Sequence, residues 1–290
     1  MTIPTPKEFD FELNIQFLRR SPRELLHKVD AASATKLLAI DGTQVLIRLT
    51  GNNRKIEVEF LNLKPTSAVK EQVKGYVIEW FDLENDLKEF YLMASKDDLL
   101  KELVKKFYGY RIIGQPDLFE SLIWAVLGQQ INLSFAYTLK QRFVEKFGTK
   151  YEWKGDNYYI FPSYEIVSKL TDDDLLPLQF SRQKSKYTVG IASAFADGVV
   201  SKEKLKNISL TDAKNELMKI KGIGNWTANY ALMKTFRYPD AFPLEDAGVH
   251  NAIKNLMNMK AKPRLDKVKR IFKKYKGWEA YATLYLWKSL

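Results

Sequence analysis

The stretch Lys219–Lys234, KIKGIGNWTANYALMK, decides how the chain is read. Two glycines, Gly222 and Gly224, stand one residue apart and are followed at once by a helix-like run. The pair admits three readings: a cofactor loop, a clamp on a nucleic-acid backbone, or a tight turn between two helices. A dinucleotide fingerprint needs a strand before the glycines and a third glycine after them. Here NELMKI precedes with helical spacing, GIGNWT offers no third glycine, and the Gly-Lys-Ser/Thr of a Walker loop is missing. A corner between two helices fits better. Gly222 can take the positive-φ conformation at a helix C-terminus, and Gly224 lets the next helix start close to whatever approaches. The free N–H groups at that start suit a phosphate oxygen. A corner without any ligand satisfies the same local pattern.

Composition narrows the partners. A chain of 290 residues, 46% hydrophobic and 28% charged, can bury a large core and reads as a soluble globular protein of two domains. No segment approaches the roughly 18 apolar residues of a membrane span, and MTIPTPKEFDFELNIQFLRR lacks the apolar core of a secretion signal, so a cytoplasmic location is expected. Cysteine is absent, which excludes disulfides, thiolate zinc sites, Cys-ligated iron–sulfur clusters and cysteine nucleophiles. With only His27 and His250, a histidine-rich metal centre or a serine–histidine relay has little material. The formal charge of +11 favours a polyanionic partner, because basic groups that neutralise phosphates release counterions. Ile253–Gly277 concentrates ten Lys or Arg against one acid, Asp266. A soluble protein with a merely basic surface remains the plainer reading of charge alone.

The texture changes along the chain. Gln44–Gly51 and Lys55–Asn62 alternate apolar and polar residues around the turn GNNR, and Phe9–Leu18 alternates too, so all three read as strands. Ser21–Val29 reads as a helix with Ser21 as cap and Pro22 at its first position. From SKDDLLKELVKKF onward helical spacing dominates, Ser163, Thr171 and Ser209 stand where N-caps belong, and almost nothing alternates. The expectation is a mainly α protein: a small α+β domain over 1–98, then a helical domain over 99–290. The acids of TDDDLL, Thr171–Leu176, read as a first helical turn behind a capping threonine and not as a metal site.

LMKIKGIGNWTANYALM, followed by DAFPLEDAGVHNAI at Asp240–Ile253, resembles the helix–hairpin–helix DNA glycosylase superfamily. That signature joins the hairpin to a stretch ending in an aspartate about 20 residues on. The nearest branch is the 3-methyladenine DNA glycosylase II (AlkA) type, whose hairpin likewise reads GIG-x-WTANY; the similarity runs from about Gly109 to Leu290. The resemblance implies an all-α glycosylase domain in two helical lobes, no required cofactor, and a monomer acting on double-stranded DNA with alkylated bases. It places the catalytic carboxylate at Asp246, since D-x-G/A-hydrophobic continues as Ala247-Gly248-Val249; Glu245 is the neighbouring rival, and a helix-capping Asp246 is physically compatible. A carboxylate beside the sugar would stabilise the positive charge that builds as the base departs. Where bifunctional relatives resemble one another in a lysine, Trp226 stands here. An indole cannot attack C1′, so simple hydrolysis without strand cleavage is expected.

Trp226 and Tyr230, four apart on one helical face, and Trp287 resemble the aromatic walls of that branch's base pocket, although core packing is the plainer account of such a pair. Electron-rich faces suit a cationic, alkylated purine. The family's wedge falls on Gln130 with Gln129 beside it, where that branch more often has an aliphatic residue. Backbone contacts fall to amides around Gly222, Gly224 and Trp226 and to Arg182, Lys184 and Lys186, for which a solvated basic face is the plainer reading. Also implied is a Na⁺ or K⁺ held by main-chain carbonyls of Met218, Ile220 and Ile223. His250 is given no chemistry. A non-catalytic DNA-gripping hairpin module and a glycosylase for another lesion stay open at this level.

Overall fold

A computed structural model describes residues 1–290. It is mainly α, with a small antiparallel sheet at the N-terminus followed by a helical body. Strands β1 (Thr2–Pro4), β2 (Lys28–Val29), β3 (Ala34–Ile40), β4 (Thr43–Asn52) and β5 (Lys55–Phe60) pair antiparallel in the order β1-β5-β4-β3-β2. Helices α1 (Phe11–Leu18) and α2 (Ser67–Trp80) bring Phe11, Ile15, Val73, Val77 and Trp80 into the core that Leu38, Ile47, Leu49 and Val58 form on one face of the sheet.

Two expectations for this region fail for identifiable reasons. Phe9–Leu18 is not a strand. Asp10 caps α1 by accepting from the Leu13 amide, and Phe11, Asn14, Ile15 and Leu18 are buried, so spacings of three and four coexist with the period-two pattern. Ser21–Val29 is not a helix either. Its polar groups are engaged elsewhere: Glu24 accepts from the Leu26 amide and from Lys140, and His27 Nε2 lies 3.0 Å from the Leu18 carbonyl. The chain turns through Pro22–Arg23 and enters β2.

The helical body contains α3 (Lys88–Ala94), α4 (Lys101–Lys106), α5 (Leu118–Leu127), α6 (Leu133–Phe147), α7 (Tyr164–Val167), α8 (Asp172–Leu175), α9 (Arg182–Ala196), α10 (Lys202–Lys206), α11 (Leu210–Met218), α12 (Asn225–Phe236), α13 (Ala247–Leu256), α14 (Leu265–Phe272) and α15 (Glu279–Lys288). Ser163, Thr171 and Ser209 occupy the N-cap positions of α7, α8 and α11, and Thr171 with Asp174 forms a capping box. One continuous core runs from Leu87 to Leu286, so α3 and the start of α4 pack with the helices and not with the sheet. The body is not wholly helical: β6 (Thr149–Trp153) and β7 (Asp156–Ile160) form a hairpin closed by Lys154 and Gly155, both at positive φ. Tyr158 of that hairpin packs on Leu37 and Leu46, covering the second face of the N-terminal sheet. Burial on both faces explains why β3, ATKLLAI, shows no alternation.

The two parts are joined by buried polar contacts. Arg111, fully buried, donates to the carbonyls of Asp82, Glu8 and Asn85. Lys140 sits between Glu24 and Glu120 at 2.9 and 3.5 Å. Burial pushes the His27 ring down to about 4, Lys36 adding to the effect and Glu24 opposing it. An unfolded His27 takes up its proton near 6.5, the folded one only near 4, so protonation favours unfolding through that window. Lowering the pH from 6.5 to 4 should therefore reduce stability by at most about 3 kcal/mol through this ring. Thermal melts at stepped pH check this: His27→Gln should flatten the loss between pH 6.5 and 4. A wild-type slope retained in full by His27→Gln would refute the assignment.

Candidate active site and DNA-facing cleft

Helix α12 is buried from Thr227 to Thr235 and packs along α5, whose residues are almost all buried. The turn Lys219–Gly224 joins it to α11, making the hairpin. Gly222 has φ +98, and a Cβ there would stand 2.4 Å from the Tyr187 ring of α9, so both the backbone angle and the neighbour require glycine. Gly224 is extended, faces open space and caps α12 with no side-chain hydrogen bond, which leaves the first amides of α12 to outside partners.

Asp246 opens α13 and unites the two readings available from sequence. Its Oδ1 accepts from the Val249 amide at 2.9 Å, the capping bond, and from Trp287 Nε1 at 2.7 Å. Its Oδ2 accepts from Trp226 Nε1 at 3.0 Å. Three N–H donors from α12, α13 and α15 thus fix one carboxylate. Gly248 permits the arrangement, because a Cβ there would stand 2.9 Å from Asp246 Oδ1 and 3.0 Å from the Trp287 indole. Glu245 lies outside this cluster, exposed, accepting both bonds of the Asn225 amide. His250 lies with its two ring nitrogens against the Leu244 and Pro263 carbonyls.

The aromatics expected around a base do converge. Trp226 stacks on Tyr230 with centroids 5.2 Å apart, and Trp287 stands 6.4 Å from Tyr230. Trp124 of α5, which the sequence reading missed, donates to Tyr230 Oη at 3.0 Å and packs on Tyr137. They line a cavity of about 650 Å³, within the range of small-molecule sites. A second, more open cleft of about 930 Å³ runs between the loop Gly128–Asn132 and the hairpin. Trp226 and Asp246 line both, so the carboxylate sits where the groove opens into the pocket.

The loop after α5 corrects two expectations. Lys184 is not at the DNA face: it is buried, and its Nζ donates to the carbonyls of Val126, Leu127 and Gln129 at 2.8, 3.0 and 2.7 Å. These are orphan acceptors at the end of α5, which an ammonium satisfies well. Burial lowers its pKa to about 8. Gln129 is likewise engaged, donating to Gly222 O and Thr227 Oγ1, both at 3.1 Å, and so ties the loop to the hairpin. Gln130 is the exposed residue of the pair, held at φ +58 and lining the cleft. Arg182 and Lys186 are exposed on α9, beside the hairpin and without an ion pair. The acidic turn Asp172–Asp174 is the capped start of α8, and no group of His and acidic side chains is placed to hold a metal. At the hairpin the carbonyls of Met218 and Ile223 accept no hydrogen bond from the chain, and that of Ile220 accepts only the Ile223 amide. Such oxygens fit a hard monovalent cation.

A helix–hairpin–helix joined to a carboxylate above an aromatic pocket defines a DNA glycosylase of base excision repair. Residues 123–277 match the family described as HhH-GPD superfamily base excision DNA repair protein, and the chain belongs to that superfamily. Residues 27–122 match the 8-oxoguanine DNA glycosylase N-terminal domain. Among individual proteins, the chain is 46% identical to the DNA-3-methyladenine glycosylase of Bacillus subtilis strain 168, over all of this chain and 97% of that one. The solved 3-methyladenine DNA-glycosylase of Archaeoglobus fulgidus superposes with a TM-score of 0.85 at 27% identity, covering 99% of this chain and 97% of its own. A 3-methyladenine DNA glycosylase of Schizosaccharomyces pombe, solved in complex with abasic DNA, gives a TM-score of 0.60 at 26% identity, over 69% of this chain and 96% of that one.

Salt dependence separates the two basic residues of α9. Arg182→Ala should reduce the slope of log K against log salt by about one, as the loss of one phosphate contact does. Lys184→Met should leave that slope unchanged while lowering base release, since it unpins the loop bearing Gln130. Fluorescence anisotropy over a salt series, paired with base-release rates, reads both.

Proposed function

We propose that this protein is a monofunctional glycosylase that flips alkylated purines from double-stranded DNA and hydrolyses their N-glycosidic bond, leaving an abasic site. It acts as a cytoplasmic monomer, since one pocket on one chain needs no symmetry. The observation that carries the reading is the Asp246 carboxylate, held by two indole N–H groups and a backbone amide at the junction of groove and pocket.

The duplex lies along the cleft, its backbone on the open amides of α12 and on Arg182 and Lys186. Gln130 enters the gap the flipped nucleotide leaves, with its backbone set by Lys184 and Gln129. The base stacks among Trp226, Tyr230 and Trp287, whose π-faces favour a purine carrying a positive charge. As the C1′–N bond breaks, its electron pair leaves with the base and positive charge grows on the sugar. Asp246 faces that charge; because its donors are already in place, no reorganisation is needed at the moment of reaction. Water then adds its hydroxyl to C1′, and its proton passes to Asp246 and on to solvent. A Na⁺ or K⁺ held by the Met218, Ile220 and Ile223 carbonyls would add a positive charge against a backbone phosphate.

Lys234 is the amine lining the pocket, and it is ill placed to form a Schiff base. It lies eight residues beyond Trp226 on α12, about 12 Å deeper at ~1.5 Å per residue. Its Nζ donates to the Ile113 carbonyl.

Methylated duplex DNA should release free 3-methyladenine and 7-methylguanine, read by chromatography. Asp246→Asn keeps a capping oxygen and should bind abasic-site DNA while releasing bases about 10³-fold more slowly, roughly 4 kcal/mol in the barrier. Borohydride should trap no covalent adduct with the wild type. Equal release by wild type and Asp246→Asn would remove the catalytic role, and a trapped adduct would remove the monofunctional one.

A further inference from the structure

The pocket has a wall that the aromatic cage does not explain. Arg20, from the N-terminal domain, lines it together with Phe17, and both lie more than a hundred residues before the nearest helical-domain wall residue, Trp124. Its guanidinium carbon sits 4.2 Å from the Phe17 ring centroid, 5.5 Å from that of Tyr137 and 5.8 Å from that of Trp124. Nε donates to Tyr137 Oη, the side chain's one hydrogen bond within the protein. Protein surrounds the guanidinium on its flanks, yet the residue stays exposed, because it opens on the cavity. Its two terminal nitrogens therefore present unpartnered donors to whatever enters. Lys234, the other basic residue of the wall, has its charge strongly disfavoured by burial, with Arg20 adding to the effect. Arg20 is thus the permanent cation of the pocket.

A fixed positive charge works against a cationic base. What a guanidinium recognises is a pair of acceptors in one plane, and on a purine that pair is O6 and N7. An N7-alkylated purine has lost the N7 acceptor, and an adenine derivative has no O6. We propose that Arg20 is a specificity-determining residue that extends the pocket to neutral 6-keto purines with a free N7, by donating to O6 and N7 of the flipped base. For such a base the electron pair of the C1′–N9 bond leaves on a neutral purine; water supplies the hydroxyl to C1′ and its proton to the base. Arg20 stabilises the negative charge that gathers on O6 and N7 before that proton arrives. Alkylated cations leave neutral and need no such help. Undamaged guanine is protected because its intact pair resists extraction.

The inference rests on the base-pocket reading above, and kcat/KM for two duplexes keeps the two apart. One carries 7-methylguanine, the other hypoxanthine, a neutral 6-keto purine. Wild type should release both. Arg20→Met should lose hypoxanthine release by tenfold or more and hold or gain 7-methylguanine release, whereas a folding defect would lower both and leave their ratio unchanged. Arg20→Lys, which keeps charge and stem but not the planar donor pair, should retain part of the hypoxanthine activity. Release of 7-methylguanine without hypoxanthine by the wild type, or an unchanged ratio in both variants, overturns the inference and leaves the proposed function standing. Release of neither base by the wild type overturns both.

Discussion

The site depends on three N–H groups meeting one carboxylate. A lone aspartate at a helix start would cap α13 through the Val249 amide and leave its second oxygen free to rotate toward solvent. Here the Trp287 and Trp226 indoles hold both oxygens, so the capping bond and the chemical task share one side chain. Charge-assisted bonds of this type are stronger than neutral ones, and they orient the group before any substrate arrives. The same indoles are pocket walls. Losing either would loosen the carboxylate and open the pocket together.

The DNA-facing loop shows the same economy. After α5 the chain must turn sharply, leaving helix-end carbonyls without partners in a place where water has little access. An ammonium buried under them answers that need, and Lys184 supplies three donors. Gln129 then binds the loop to the hairpin at Gly222 and Thr227. The exposed tip, Gln130, stands in a left-handed conformation at the groove as a result. A residue expected to touch DNA directly acts instead on the shape of the residue that faces it.

The N-terminal domain is more than a support. Its sheet is clamped between α1 and α2 on one face and the β6–β7 hairpin on the other, and buried polar contacts at Arg111 and Lys140 fix it to the helices. That rigidity matters because α1 ends beside the pocket, where Phe17 and Arg20 complete a wall the helical domain leaves open. Which purines enter is therefore shared between two units of the fold.

Local sequence determined much of this molecule. The glycine pair, the capping serines and threonine, the β4–β5 hairpin and the spacing from hairpin to Asp246 are short-range features, each carried by residues within one or two turns of chain. The aromatic stripe of Trp226 and Tyr230 is equally local, being set by the helical repeat. What local pattern could not carry were the elements governed by distant partners. Phe9–Leu18 satisfies both periodicities until Asp10 and the sheet choose the helix; Ser21–Val29 is drawn out of helix by Lys140 and by the Leu18 carbonyl. β3 is buried on both faces and so shows no alternation. Charge alone cannot tell a lysine that meets phosphate from one that caps a helix, since the difference lies in whether three carbonyls happen to converge on its ammonium. Nor can spacing bring Arg20 to a pocket whose next wall is a hundred residues away. Those choices belong to packing and desolvation, which act between parts of the chain that only the tertiary structure brings into contact.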